Sequence, residues 1–359
     1  MREGRVRHLF PGGNTSLGFF SYYHHIITQE DAERIFVIKG GPGVGKSTFM
    51  KRVGKEMESR GYDVEYLHCS SDPDSLDGLL MPGLRVAFID GTAPHVVDPK
   101  NPGAVDEILN FGVFWDEAGI RAHRDDIIRT NREIGYIFDR SYRYLAAAQA
   151  IYRGSAAVYA KALDTAGTNS LAAELIQEIF PHDDRTKAGG ERKMFLSALT
   201  PDGYVNYLDT VLAGDSVYEV KGKMGTGEDT VLTKVKTAAI ERGYDVEGYY
   251  CALDPHRIEH LRIPDLGIGL TTGNKYHGTD ITKEKTIEMM EYMDGDILAR
   301  YQDDLMENQA ELDDLLSTAL GTIHRAKALH DQLETYYIPN IRFAEIDPYL
   351  RGVLDRIIG

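Results

Sequence analysis

Two hydrophobic periodicities alternate along this chain. Short apolar runs, Ile35-Phe-Val-Ile38, Val64–Cys69 and Leu84-Arg-Val-Ala-Phe-Ile-Asp90, are of strand type. Between them, the stretch from Thr48 to Arg60 carries Phe49, Val53 and Met57 four residues apart, which is the spacing of one helical face. Strand, helix and strand in that order predict an α/β fold with a mostly parallel sheet.

Longer helical stretches follow. From Asp116 to Leu163, apolar residues recur at Ile120, Ile127, Ile134, Ile137, Tyr144 and Ile151. A second set runs through Met293, Ile297, Tyr301, Leu305, Leu312, Leu316, Leu320 and Ile323. Each half is therefore expected to add a helical hairpin to its sheet, with the two hairpins packed together or presented to a protein partner. The acidic positions Asp303, Asp304, Glu307, Glu311, Asp313 and Asp314 read as a solvated helix face.

The turn between the first strand and helix carries chemistry. Gly40-Gly41-Pro42-Gly43-Val44-Gly45-Lys46-Ser47, continued by Thr48, fits G-x-x-x-x-G-K-[ST]. Glycines at 40, 43 and 45 let the backbone curl so that its N–H groups point at phosphate oxygens, and the helix N-terminus adds positive potential. Lys46 is then the phosphate clamp, and the Ser47 hydroxyl a Mg²⁺ ligand. Asp90, ending an apolar strand, is the second candidate Mg²⁺ ligand, acting through water. Gly91 and Thr92 follow it, so the adjacent Asp-Glu pair used by many fast ATPases to activate water is missing. Asp74, just beyond the strand Val64–Cys69, is a candidate base or water-positioning carboxylate, with a turn-forming role as its plainer explanation.

The chain then repeats itself. From Ile35 to His95, a shift of 182 residues gives 20 identities in 61 positions without a gap. Arg60-Gly-Tyr-Asp-Val-Glu65 recurs as Arg242-Gly-Tyr-Asp-Val-Glu247, and Cys69, Asp72 and Pro73 match Cys251, Asp254 and Pro255. Phe10 and Gly18-Phe19 match Phe195 and Gly203-Tyr204 upstream; Gln149-Ala-Ile-Tyr matches Lys327-Ala-Leu-His downstream at an offset of 178. The expectation is two tandem P-loop NTPase-like domains, residues 1–190 and 191–359, with a loop-like junction near 183–191.

The second copy has lost its chemistry. Glu228 stands where Lys46 stands, Asp229 where Ser47 stands, and Thr272 where Asp90 stands. Two carboxylates repel a polyphosphate, so this domain is expected to be a regulatory or scaffolding copy that binds no nucleotide. Lys223 still offers a positive charge to that loop. Cys69, Asp72 and His95 persist in the altered copy as Cys251, Asp254 and His277, which favours structural roles for them. His24-His25 has no third ligand nearby in sequence and reads as a surface or packing pair rather than a zinc site.

Charge and composition narrow the classes. A net charge of −16 argues against wholesale nucleic-acid binding. Two cysteines form neither a disulfide framework nor a metal-ligand cluster and suit a reducing compartment. Residues 1–7 lead into no apolar segment and no apolar run approaches a membrane span, so a cytoplasmic protein is expected.

Lys39–Thr48, Cys69-Ser-Ser-Asp-Pro-Asp-Ser-Leu-Asp-Gly78 and Asp90-Gly-Thr-Ala-Pro-His-Val-Val-Asp-Pro99 together resemble a group of bacterial and archaeal tandem P-loop proteins known generally as ATPases or hypothetical proteins. That resemblance implies an ATPase without naming its substrate, and Glu228 and Asp229 depart from the lysine that relatives often keep in the second loop. The expected activity is Mg²⁺-dependent ATP (or GTP) binding with slow hydrolysis. The alternatives are a small-molecule or nucleotide kinase and a non-catalytic nucleotide switch.

Overall fold

The computed structural model describes residues 4–92, 96–181 and 186–358. His95 and part of the expected junction lie outside the described residues. The first half contains β1 (Val6–Leu9), β2 (Gly12–Thr15), β3 (Gly18–Ser21), β4 (Arg34–Lys39), α1 (Lys46–Ser59), β5 (Val64–Cys69), β6 (Asp72–Met81), β7 (Val86–Asp90) and β8 (Asp106–Asn110). Three helices follow: α2 (Glu117–Ala122), α3 (Arg124–Ala162) and α4 (Thr165–Ile179). The second half contains β9 (Glu191–Met194), β10 (Ser197–Thr200), β11 (Gly203–Asn206), α5 (Leu208–Leu212), β12 (Ser216–Lys221), α6 (Glu228–Glu241) and β13 (Val246–Tyr250). It closes with β14 (Ile258–Ile263), β15 (Ile268–Gly273), β16 (Lys283–Glu288), α7 (Gly295–Arg300), α8 (Gln302–Tyr337) and α9 (Ile346–Ile358).

The first sheet has the order β1-β5-β6-β7-β4-β8, and the second has β9-β13-β14-β15-β12-β16. In each, the third strand alone runs antiparallel to the rest. Both sheets are thus mostly parallel and flanked by helices, an α/β architecture. Successive residues of β4 point to opposite faces, as strand geometry requires. Phe36 and Ile38 pack with Phe49, Val53 and Met57 of α1, while Ile35 and Val37 join the core that extends into the second half.

The helical additions differ from the expected hairpins. Each half supplies one long helix, of 39 residues in α3 and 36 in α8, and these pack against each other. The Ser141 hydroxyl donates to the Ala319 carbonyl at 3.2 Å, and Gly154 lies against Asn308, so the pair runs antiparallel. A long amphipathic helix buries its stripe only against another element, and here that element comes from the other half. Having crossed over, the chain stays there. Leu171, Leu175 and Ile179 of α4 join the core of the second sheet, while Ile346, Leu350 and Val353 of α9 join Phe49 and Phe111 on the first.

A buried charge cluster ties the halves together. Arg7 pairs with Glu65 at 3.0 Å and Glu247 at 2.7 Å; Arg192 pairs with Glu65 at 2.6 Å and Glu247 at 3.7 Å. The arginines hold both carboxyls below their ordinary range against the opposing effect of burial, Glu247 down to about 2. Beside the cluster, Phe10 and Phe195 exchange two backbone hydrogen bonds of 3.0 Å.

Candidate nucleotide-binding site

The first loop lies between β4 and α1, at the carboxyl edge of its sheet, where α/β folds bind ligands. Gly43 and Gly45 adopt φ of +65° and +87°, a region closed to most side chains. Val44 is buried and braces the turn against Gly40. Lys46 Nζ curls back onto the loop, donating to the Gly41 carbonyl at 2.7 Å and the Gly40 carbonyl at 3.3 Å, and lies 3.5 Å from Asp90 Oδ2. Ser47 Oγ accepts the Leu76 N–H at 3.0 Å, and Asp90 Oδ1 accepts the Thr92 N–H at 2.9 Å. The Thr92 hydroxyl bonds the Gly40 carbonyl, closing the loop onto β7. Clamp and carboxylate therefore meet at one point, with Ser47 on the first turn of α1 beside them.

Other sequence candidates lie further out. Thr48 is exposed on α1. Asp74 is exposed, and its backbone carbonyl accepts a hydrogen bond from Lys51. Asp72 accepts the Ser75 hydroxyl at 2.7 Å and stands 3.8 Å from Lys327 of α8. Cys69 and Cys251 are free thiols whose burial pushes their pKa up, Cys251 to about 12. The His24 and His25 rings lie 4.3 Å apart and are tilted by 45°.

The second loop repeats the backbone and reverses the charge. Gly225 and Gly227 take φ of +92° and +93°. Glu228 does not point outward: its carboxylate folds into the loop, accepting the Gly225 N–H at 3.1 Å and the Thr226 hydroxyl at 3.2 Å. Arg257 approaches it to 3.6 Å, donates to Glu259 at 2.7 Å and to Cys251 Sγ at 3.0 Å, and lies over the Tyr152 ring. Arg257 and Glu228 are buried. Burial raises the Glu228 pKa while Arg257 opposes the shift. A P-loop is an anion-binding nest, and here the chain's own carboxylate occupies it. The sequence comparison missed Arg257, although it was available at the same offset, opposite Ser75.

The residues behind this loop are also sewn together. His277 Nε2 lies 3.1 Å from Glu259 and 2.6 Å from the Tyr204 hydroxyl, and His260 Nδ1 is 2.8 Å from Thr271. Burial lowers the His260 pKa to about 3, so its imidazole is neutral. A cleft of about 940 Å³ opens beside this second loop, lined in part by Lys223, Met224, Tyr276, Met290 and Met306.

The KAP family P-loop domain matches residues 20–304, a span that includes both loops. The chain belongs to the KAP family of P-loop domains. No curated protein sequence and no solved structure matches it. Membership of this family makes nucleotide binding the class of activity to be explained. None of the described helices is long and apolar enough to cross a membrane.

Proposed function

We propose that the first loop binds MgATP, or MgGTP, and hydrolyses it slowly, while the second half is a nucleotide-incompetent copy that regulates or scaffolds the first. The carrying observation is that two loops of the same backbone hold opposite charges, Lys46 in one and the inward-folded Glu228 in the other. Equal strand order in the two sheets, with the repeated residues at equivalent places, supports a duplicated chain whose copies span 1–190 and 191–359.

At the first loop, the N–H groups around Gly43 and Gly45 would bind β- and γ-phosphate oxygens, and Lys46 would exchange its carbonyl partners for them. Ser47 and Asp90 are hard oxygen donors suited to Mg²⁺, Asp90 through water. A bound Mg²⁺ held there would supply charge neutralisation on the phosphates. The work of Lys46 is to stabilise negative charge on the transferred phosphoryl group. With no carboxylate following Asp90, general-base assistance is weak and turnover slow.

Calorimetry with MgATP and phosphate release on wild type and Lys46→Ala test this. Binding lost in Lys46→Ala with measurable phosphate release supports an ATPase. Binding without turnover makes the chain a switch, and ADP formed only with an added hydroxyl acceptor makes it a kinase. Binding unaffected by Lys46→Ala overturns the assignment.

A further inference from the structure

The two halves exchange their long helices, so each loop is overlaid by a helix from the other half. Over the first loop lies the end of α8. A Cβ on Gly41 would meet the Tyr337 ring at 2.8 Å, and one on Gly43 would meet Ile338 at 2.9 Å and Glu334 at 3.3 Å. Two turns earlier, Lys327 reaches Asp72 at the start of β6 and pairs with Asp331. Residues 327, 334 and 337 share one helical face, so that face spans from the β5–β6 turn to the phosphate loop.

Over the second loop lies α3, in the equivalent place. Tyr152 and Ala156 are the residues a Cβ on Gly225 would meet. Contacts in the two halves follow the offset of 178. Asp116 caps α2 and Asp294 caps α7, while Trp115 bridges Ile341 and Leu163 bridges Met293. Under that offset Lys327 corresponds to Gln149, His330 to Tyr152, Glu334 to Ala156 and Tyr337 to Tyr159. The contact made by Lys327 is repeated: Gln149 donates to Asp254 at 2.6 Å, and Asp254 is the counterpart of Asp72. The same helix–turn contact is therefore charged over the loop with a clamp and neutral over the loop without one. Glutamine makes the equivalent contact over the second loop, so docking of the helix does not by itself require a cation at 327.

We propose that Lys327, delivered by the second half, is the charge-supplying residue for the terminal phosphate of the nucleotide held at the first loop. The site is thus composite, and this inference rests on the hydrolase reading above. In hydrolysis the water oxygen forms the new bond to the γ-phosphorus, and the bond to the β–γ bridging oxygen breaks with its electron pair left on ADP. The water proton passes to the released phosphate. Lys327 stays protonated and leaves Asp331 and Asp72 to neutralise the equatorial oxygens, over which charge is spread in the transition state. It does for this loop what an arginine finger does in other P-loop enzymes.

The test compares wild type with Lys327→Gln, which installs the residue found over the second loop, and Lys327→Arg. MgATP affinity, phosphate release, and binding of MgADP with aluminium fluoride are measured on each. Expected for Lys327→Gln is a fall in kcat of about a hundredfold, MgATP affinity within about threefold of wild type, and loss of the tight fluoride complex. Lys327→Arg should recover part of both. Unchanged kcat in Lys327→Gln overturns the proposal and leaves the hydrolase reading standing. So does a loss of MgATP affinity as large as the loss of kcat, which would make Lys327 a ground-state contact. A wild type without turnover, or a Lys46→Ala variant that still binds, overturns the hydrolase reading itself.

Discussion

The two loops of this chain teach by contrast. Both curl through glycines of positive φ at equivalent places, and both start a helix of 14 residues. In the first, a lysine rests on loop carbonyls beside an aspartate, with side chains that remain partly accessible. In the second, a buried glutamate fills the nest and a buried arginine neutralises it. A loop of this shape without a bound anion would leave N–H donors unmatched in a protein interior, a costly situation. The second loop meets that cost with its own carboxylate. The second half has the strand order of the first, holds a carboxylate in its own loop, and lays α8 over the loop of the first half.

The contrast can be broken in several ways. Lys46→Ala should have the largest effect, abolishing turnover and weakening MgATP binding by at least about a hundredfold; calorimetry and phosphate release measure it. Next is the charge cluster at the centre. Glu65→Ala and Glu247→Ala should each cost about 3–5 kcal/mol, because each leaves Arg7 and Arg192 sharing a single carboxylate in a largely buried cluster. Urea unfolding measures this, and nearly equal losses from the two positions would show that the halves share the cluster symmetrically.

The same cluster sets an acid dependence. The Glu247 carboxyl is held down to about 2 in the folded chain, below its unfolded value near 4.3. Its stabilisation is present above the unfolded value and is lost as pH falls from about 4.5 towards 2. Thermal melts of wild type across that range should decline more steeply than those of Glu247→Gln.

A smaller effect is expected at the second loop. Glu228→Ala should cost about 2–3 kcal/mol, since Arg257 loses one carboxylate and keeps Glu259. It should create no second nucleotide site, because Asp229 and Thr272 still replace the Mg²⁺ ligands. Asp74→Asn should be the mildest, changing turnover by less than about threefold, because its side chain is exposed. A larger loss would place that carboxylate in the chemistry.

Much of this was written in local sequence. Strand β4, the loop and helix α1 follow from an apolar run, spaced glycines and a four-residue period, all of which act within about 25 residues. The correspondence of Lys46 with Glu228 was equally plain. What was not legible depends on tertiary geometry. Periodicity shows that α3 and α8 are long and amphipathic, but it does not say which partner covers the stripe. Hairpins within each half and helices exchanged between halves bury the same residues. The inward turn of Glu228 depends on Arg257, which stands opposite Ser75, a position with no phosphate-binding role in the first loop. Lys327 was noticed as part of a repeat, and its meaning appeared once Asp72 and Asp254 were seen to receive equivalent contacts.

The most direct measurement is the stoichiometry of MgATP binding by calorimetry on wild type, Lys46→Ala and Glu228→Ala. One site per chain, lost in Lys46→Ala and unchanged in Glu228→Ala, is the predicted result. Two sites per chain, or one that survives Lys46→Ala, would contradict the division into an intact loop and one filled by its own carboxylate.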